Sequence, residues 1–256
     1  MRELILFSID KNHFAIDLDK IKRIVQAEST TPVAGNAAQI EGVFTFENSV
    51  INVLSFREMI GLPDHAKHLQ ELFPKLKNAH DAWYESLKES IQNGTEFTKP
   101  INHYECELGK WISSFNSYDS TVTKIMDILF PLHASFHGSA TQLLRLAKSS
   151  KENALKELES TVLPLREEIK SLLDELLKNA DLIRNSMQKF IILDGEKLFC
   201  VRIDEIDDII SIDENDIQVS SDKTIDENII QIDGIFEYKE TLVNLIQTIN
   251  LPALKD

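Results

Sequence analysis

The two ends of the chain repeat one another, and no other feature restricts the fold as much. The segment "ELILFSIDKNHFAIDLDKIKRIVQ", from Glu3, lines up with "KFIILDGEKLFCVRIDEIDDIIS", from Lys189. Likewise "QIEGVFTFENSVINVLSFREMIGL", from Gln39, lines up with "QIDGIFEYKETLVNLIQTINL", from Gln231, both opening on Gln-Ile-acidic-Gly. Self-similarity of this kind signals duplicated architecture. Each copy breaks into short β-rich runs, the first into "LILFSI", "FAIDL", "IKRIVQ", "GVFTF" and "VINVLSF", with "DKN" as a hairpin turn. About five short strands can curl into a small closed sheet but bury little alone, so two five-stranded β-barrels are expected to pack together. The class is α+β, because a helical segment separates the copies.

Between the copies the apolar period changes from two to helical, which gives boundaries of 1–65 for the first copy, 66–186 for an inserted helical bundle and 187–256 for the second copy. Leu69, Leu72, Leu76, Trp83 and Leu87 form one stripe, and His80 falls on it. A second stripe runs through Ile125, Ile128, Leu129, Leu132, Phe136, Leu143 and Leu144, with His133 and His137 on or beside it. Pro131 is expected to kink that helix. Leu155, Leu158, Val162, Leu165, Ile169, Leu172 and Leu176 alternate steps of three and four, a bundle or coiled-coil seam that Pro164 interrupts and whose length suggests self-association.

Composition narrows the partners. A formal net charge of −15 repels nucleic acid and anionic membrane surfaces, so proteins are the expected partners. No window approaches the roughly 18 apolar residues of a membrane span, and the chain reads as cytosolic. Its two cysteines, Cys106 and Cys200, lie in unlike contexts and suit reduced thiols, Cys200 as a small buried hydrophobe in "LFCVRI". The acidic run "RIDEIDDIISIDENDI" reads as a solvated sheet face, and His13, His65 and His68 as exposed turn or linker residues.

A histidine pair spaced by four, as in "HASFH", stacks on one helix face but is by itself more often an accident of spacing than a metal site. His80, His133 and His137 together, with Cys106 at the start of another helix, would supply three nitrogens and one thiolate, a tetrahedral set that suits zinc. His103, three residues before Cys106, is an alternative donor. Glu85, Glu105 and Glu107 are near these residues in sequence but read as solvated. A fourth protein ligand would fill the position that a hydrolytic zinc keeps open, and with 8 glycines there is no phosphate-cradling loop or nucleophile elbow. No catalytic residue is expected.

"HDAW" at His80–Trp83, "CELGKW" at Cys106–Trp111 and "HASFH" at His133–His137 together resemble the chemoreceptor zinc-binding (CZB) domain. That resemblance implies a helical bundle, usually dimeric, holding zinc through His80, Cys106, His133 and His137, and links it to responses to hypochlorous acid, zinc or pH. The flanking copies resemble the CheW adaptor of bacterial chemotaxis. That implies docking on receptors or on a CheA-like kinase through "EGVFTFENSVINVLSF", with Glu41, Gly42, Phe46, Glu47 and Val50 as candidate contacts. Where that family has Arg-Gly pairs, this sequence has Glu41-Gly42 and Glu47-Asn48, a reversal of charge that is expected to alter the docking. The expected function is an adaptor whose zinc bundle switches through Cys106; a scaffold with a purely structural zinc is the alternative.

Overall fold

In a computed structural model, residues 1–34, 37, 39–195, 197–219, 224–226 and 229–252 are described. The chain divides into two compact units, one of Met1–Asp64 with Arg184–Asp256 and one of His65–Ile183.

The first unit carries β1 (Arg2–Ile9), β2 (Asn12–Asp17), β3 (Ile21–Gln26), β4 (Ile40–Phe46), β5 (Ser49–Ser55) and the short helix α1 (Phe56–Met59). After the insertion come β6 (Lys189–Leu193), β7 (Phe199–Ile203), β8 (Glu205–Ile212), β9 (Gln218–Val219), β10 (Thr224–Asp226), β11 (Ile230–Tyr238) and β12 (Thr241–Ile249). The repeat makes β1 to β5 equivalent to β6, β7, β8, β11 and β12. The copies do not close separately, which corrects the expectation of two barrels each built from one copy. One sheet runs β10-β11-β12-β2-β1-β8, with β9 on β11, and the other β3-β6-β7-β5-β4. Each sheet therefore takes its first hairpin from one copy and its remaining strands from the other, and equivalence turns one order into the reverse of the other. The joints are parallel and share a register: Ala15 faces Leu245 where β2 meets β12, and Cys200 faces Val53 where β7 meets β5. Parallel pairing needs a long connection, which the duplication supplies.

Burial follows this exchange. Phe7, Phe14, Ile16 and Ile246 from one sheet and Leu54, Ile191, Val201 and Ile203 from the other form a shared core, closed by Phe56 and Met59 of α1. Each sheet also covers a smaller cluster, around Leu4, Leu6 and Leu245 in one and around Phe46, Phe190 and Cys200 in the other. The repeated glycines are explained by close approach: a Cβ at Gly42 would stand 2.5 Å from the Thr31 carbonyl oxygen, and one at Gly234 2.7 Å from that of Gln218. The β4–β5 and β11–β12 hairpins turn on Glu47-Asn48 and Lys239-Glu240, all four residues at positive φ, as a two-residue turn matched to strand twist requires.

The second unit consists of α2 (His65–Asn93), α3 (Glu107–Ser114), α4 (Ser120–Ala147), α5 (Lys151–Glu157), a π-helical stretch Leu158–Val162, α6 (Leu163–Lys178) and the start of α7 (Ala180–Met187). Asp119 caps α4 by accepting from the Thr121 and Val122 amides at 2.9 and 3.0 Å, a contact worth about 1 kcal/mol. Both α2 and α4 run unbroken through a proline, Pro74 and Pro131. Pro164 does divide the last seam, since it stands in the first turn of α6 just after the π stretch. Leu158, Val162, Ile169, Leu172 and Leu176 are buried, and α6 packs on α2 and α4 of the same chain, so most of that seam is occupied internally. Ile128, on the apolar stripe by spacing, is exposed. His65 and His68 belong to α2 rather than to a linker, and His13 is a half-buried β2 residue 3.1 Å from Asp207.

Candidate metal centre

Three helical elements bring four donors together. The apolar stripe of α2 carries His80 inward, α4 carries His133 and His137 one turn apart, and Cys106 is the N-cap of α3. His80, His133 and His137 are each 2% exposed or less, and Cys106 is half-buried. One donor atom from each of the four lies within 4.8 Å of every other. A tetrahedral zinc with these ligands has donor–donor edges of roughly 3.3–3.6 Å, so a slight contraction would close the set. One edge is already there, Cys106 Sγ to His133 Nε2 at 3.2 Å.

Hydrogen bonding fixes what the imidazoles offer. His80 Nδ1 lies 2.7 Å from the Leu76 carbonyl oxygen and His137 Nδ1 2.9 Å from that of Pro100. A carbonyl can only accept, so both Nδ1 atoms carry the proton and both Nε2 atoms are left as lone pairs. Those Nε2 atoms are buried and have no hydrogen-bond partner. Leaving two acceptors dry and unpaired is costly, and a cation removes the cost. Burial, added to by His137, His80 and His103 as neighbours, pushes His133 down to about 2. Burial likewise lowers His137 to about 4, against the bond to Pro100, and lowers His80. Burial also raises the Cys106 thiol, although the Gly109 and Leu108 amides oppose it. At neutral pH the cluster is three neutral imidazoles and a thiol, which suits a soft or borderline divalent cation.

The supports are partly backbone and therefore invisible to a residue-type search. Trp83 Nε1 donates to the Pro100 carbonyl at 2.7 Å, so that one oxygen ties the "HDAW" segment to His137. Gly109 is required because a Cβ there would lie 1.8 Å from the His103 carbonyl oxygen. Its amide points at Cys106 Sγ at 3.3 Å. The glycine and tryptophan of the quoted motifs were the available signals. A cavity of about 270 Å³, lined by His80, Trp83, Glu105, Cys106 and His137 among others, opens on the cluster. Glu85 and Glu107 are solvated, as the sequence implied, the latter paired with Lys110 at 2.6 Å. His103 stays outside the four-donor set.

The candidate docking residues are placed differently from the sequence expectation. Glu41 is 9% exposed at its side chain, and its carboxylate accepts from Arg202 Nε and Nη2 at 2.8–3.0 Å. It is a buried, neutralised charge and not a reversed surface one. Gly42 is packed against Thr31, and Phe46 is buried beneath the Arg23 guanidinium. Only Glu47, 3.1 Å from Arg23, and Val50, 69% exposed, face solvent. Leu242, the counterpart of Val50 in the second copy, is 67% exposed.

Residues 3–73 match the CheW-like domain family. Among solved structures the chain is similar to the scaffolding protein TtCheW from Thermoanaerobacter tengcongensis, at 11% identity and a TM-score of 0.45, over 96% of this chain and 89% of that one. No curated protein matches. Among the described residues no helix is long and apolar enough to cross a membrane.

Proposed function

We propose that this chain is a chemotaxis-type adaptor whose helical unit holds zinc through His80, Cys106, His133 and His137 and reports on oxidant. The CheW-like match over residues 3–73 supports the adaptor part, with a receptor or a CheA-like kinase as the partner class, in a cytoplasmic setting. The two buried Nε2 atoms aimed into a thiol-containing cluster are the observation that carries the metal. Zinc fits better than a hard oxygen-seeking ion because the donors are nitrogen and sulfur.

When bound, zinc would keep Cys106 as thiolate, the form that oxidants attack. The cavity gives a small oxidant access to the sulfur. Hypochlorous acid then converts the thiolate to sulfenic acid with release of chloride, and the sulfur becomes a poor donor. Cys106 caps α3, so a change at its sulfur acts directly on that helix. The bundle also serves as the homodimer contact in this reading. A purely structural zinc has the same four ligands, and oxidation separates the two.

The test is to load the full chain with zinc, titrate it with hypochlorous acid, and follow zinc release, helix content and capture of receptor and kinase fragments. A change in zinc occupancy or in helix content at about stoichiometric oxidant, together with altered capture, supports the switch. Capture unchanged while zinc leaves means a structural metal, and a protein that takes up no zinc overturns the metal reading. Loss of the metal at low zinc, or on acidification without oxidant, would reassign the stimulus.

A further inference from the structure

His103 is a fifth donor beside the cluster, unused by it. It stands on the turn that leads into Cys106, and its own carbonyl oxygen lies 3.5 Å from Cys106 Sγ. Its ring centroid is 5.9 Å from that of His133, nearly perpendicular to it, with Tyr104 at 4.0 Å and Phe130 at 5.6 Å on its other sides. Its Nε2 is buried and, like those of His80 and His137, has no hydrogen-bond partner. The close contact of Gly109 with the His103 carbonyl holds the backbone of this turn, so that a shift of the ring toward the cluster has to come from its side-chain torsions.

We propose that His103 is a reserve ligand, which takes the place of Cys106 when that sulfur is lost, so that the centre passes from three nitrogens and a sulfur to four nitrogens without releasing its ion. The inference rests on the metal reading given above. Its chemical basis is that imidazole and thiolate are both good zinc donors, and that a centre with a buried spare nitrogen need not open when the thiolate is removed. A reserve ligand would make oxidation a change of geometry at α3 and keep the bundle folded. Glu105, which lines the same cavity and accepts from Asn102, is the rival donor.

Zinc affinity is measured against a chromophoric chelator for the full-length wild type, His103→Ala, Cys106→Ser, Cys106→Ser/His103→Ala and Cys106→Ser/Glu105→Gln. Cobalt spectra are recorded for each, because the sulfur-to-cobalt band reports the thiolate and the d–d intensity reports tetrahedral geometry. His103→Ala alone should stay within about threefold of wild type. Cys106→Ser should weaken binding about 10–100-fold, lose the sulfur band and keep tetrahedral intensity, and adding His103→Ala should cost at least about tenfold more. Should the serine variant misfold, metal-free wild type and His103→Ala are blocked at Cys106 with methyl methanethiosulfonate, which leaves a methyl disulfide and releases methanesulfinate. The blocked wild type should then take up zinc and the blocked variant should not. Equal affinity of Cys106→Ser with and without His103, or a larger loss from Glu105→Gln, overturns the proposal. Failure of unblocked wild type to bind zinc overturns the metal reading itself.

Discussion

Replacing Glu41 by Gln tests whether that residue is a docking charge or a structural one. Arg202 is 1% exposed and its guanidinium lies 4.6 Å over the Phe190 ring. Three of its contacts go to Glu41, while Nη1 donates to Asn185 at 2.8 Å and Nη2 to the Glu28 carbonyl at 2.9 Å. Glutamine keeps an acceptor but removes the only formal negative charge among these partners, and Arg184, 3.9 Å from Glu41, then adds repulsion. Breaking one side of a buried ion pair costs about 3–5 kcal/mol because the other charge is left uncompensated. At about 2–4 °C per kcal/mol, the β unit should melt roughly 6–20 °C lower. The cycle with Arg202→Met is the sharper measurement. Removing both charges should recover at least about 2 kcal/mol relative to Glu41→Gln alone. Denaturant unfolding of the four proteins gives each number. A single variant within about 1 kcal/mol of wild type, with altered capture of a receptor or kinase fragment, would refute the structural role and restore Glu41 to the docking surface.

The other expectations are shorter. A thiol reagent should find one fast thiol in the native metal-free chain, Cys106, none when zinc is bound, and two after unfolding, because Cys200 is fully buried and burial pushes its pKa up; ultraviolet thiol counting checks this. Gly109→Ala should keep most helix content yet weaken zinc uptake at least about tenfold, since its Cβ cannot coexist with the His103 carbonyl at 1.8 Å. Trp83→Phe should do the same by about 10–100-fold through loss of the 2.7 Å bond to Pro100, read by chelator competition. Glu240→Gly should stabilise the β unit by up to about 1 kcal/mol by relieving a left-handed residue at φ 65°, and a lowered melting midpoint would contradict the turn assignment.

How much of this was legible depends on whether the controlling contact is local. The duplication could be read because each copy needs a glycine under a neighbouring carbonyl, at Gly42 and Gly234, and a two-residue left-handed turn that begins five residues later. Both are demands on residues close in sequence. The four donors could be picked out by type and by their place on apolar stripes, whereas the Leu76 and Pro100 carbonyls that set the protonation of His80 and His137 have no signature in residue type. Strand exchange was not legible: alternation says that a segment is a strand but not which strand it pairs with, and both parallel joints connect residues more than a hundred positions apart.

The burial of Glu41 follows from the same exchange, and the second copy holds its counterpart in a related way. Alignment of the repeats sets Asp17 opposite Arg202 and Asp233 opposite Glu41. In one sheet both positions are acidic, and Arg2 stands between them, 2.7 Å from an oxygen of each. In the other sheet the two positions carry opposite charges and meet directly, Arg202 on Glu41 at 2.8 Å. Each sheet thus balances the same two sites, one with Arg2 and with Lys20, 3.1 Å from Asp17, and the other by their direct pairing. The carboxylate that follows Gln-Ile is therefore paired with an arginine of its own chain in both halves, the buried Glu41 with Arg202 across the intervening β5 and the more exposed Asp233 with Arg2. We propose that docking specificity comes from side chains that the exchange leaves outside, among them Glu47 and Val50 in the first copy and Leu242 in the second, near the hairpin tips.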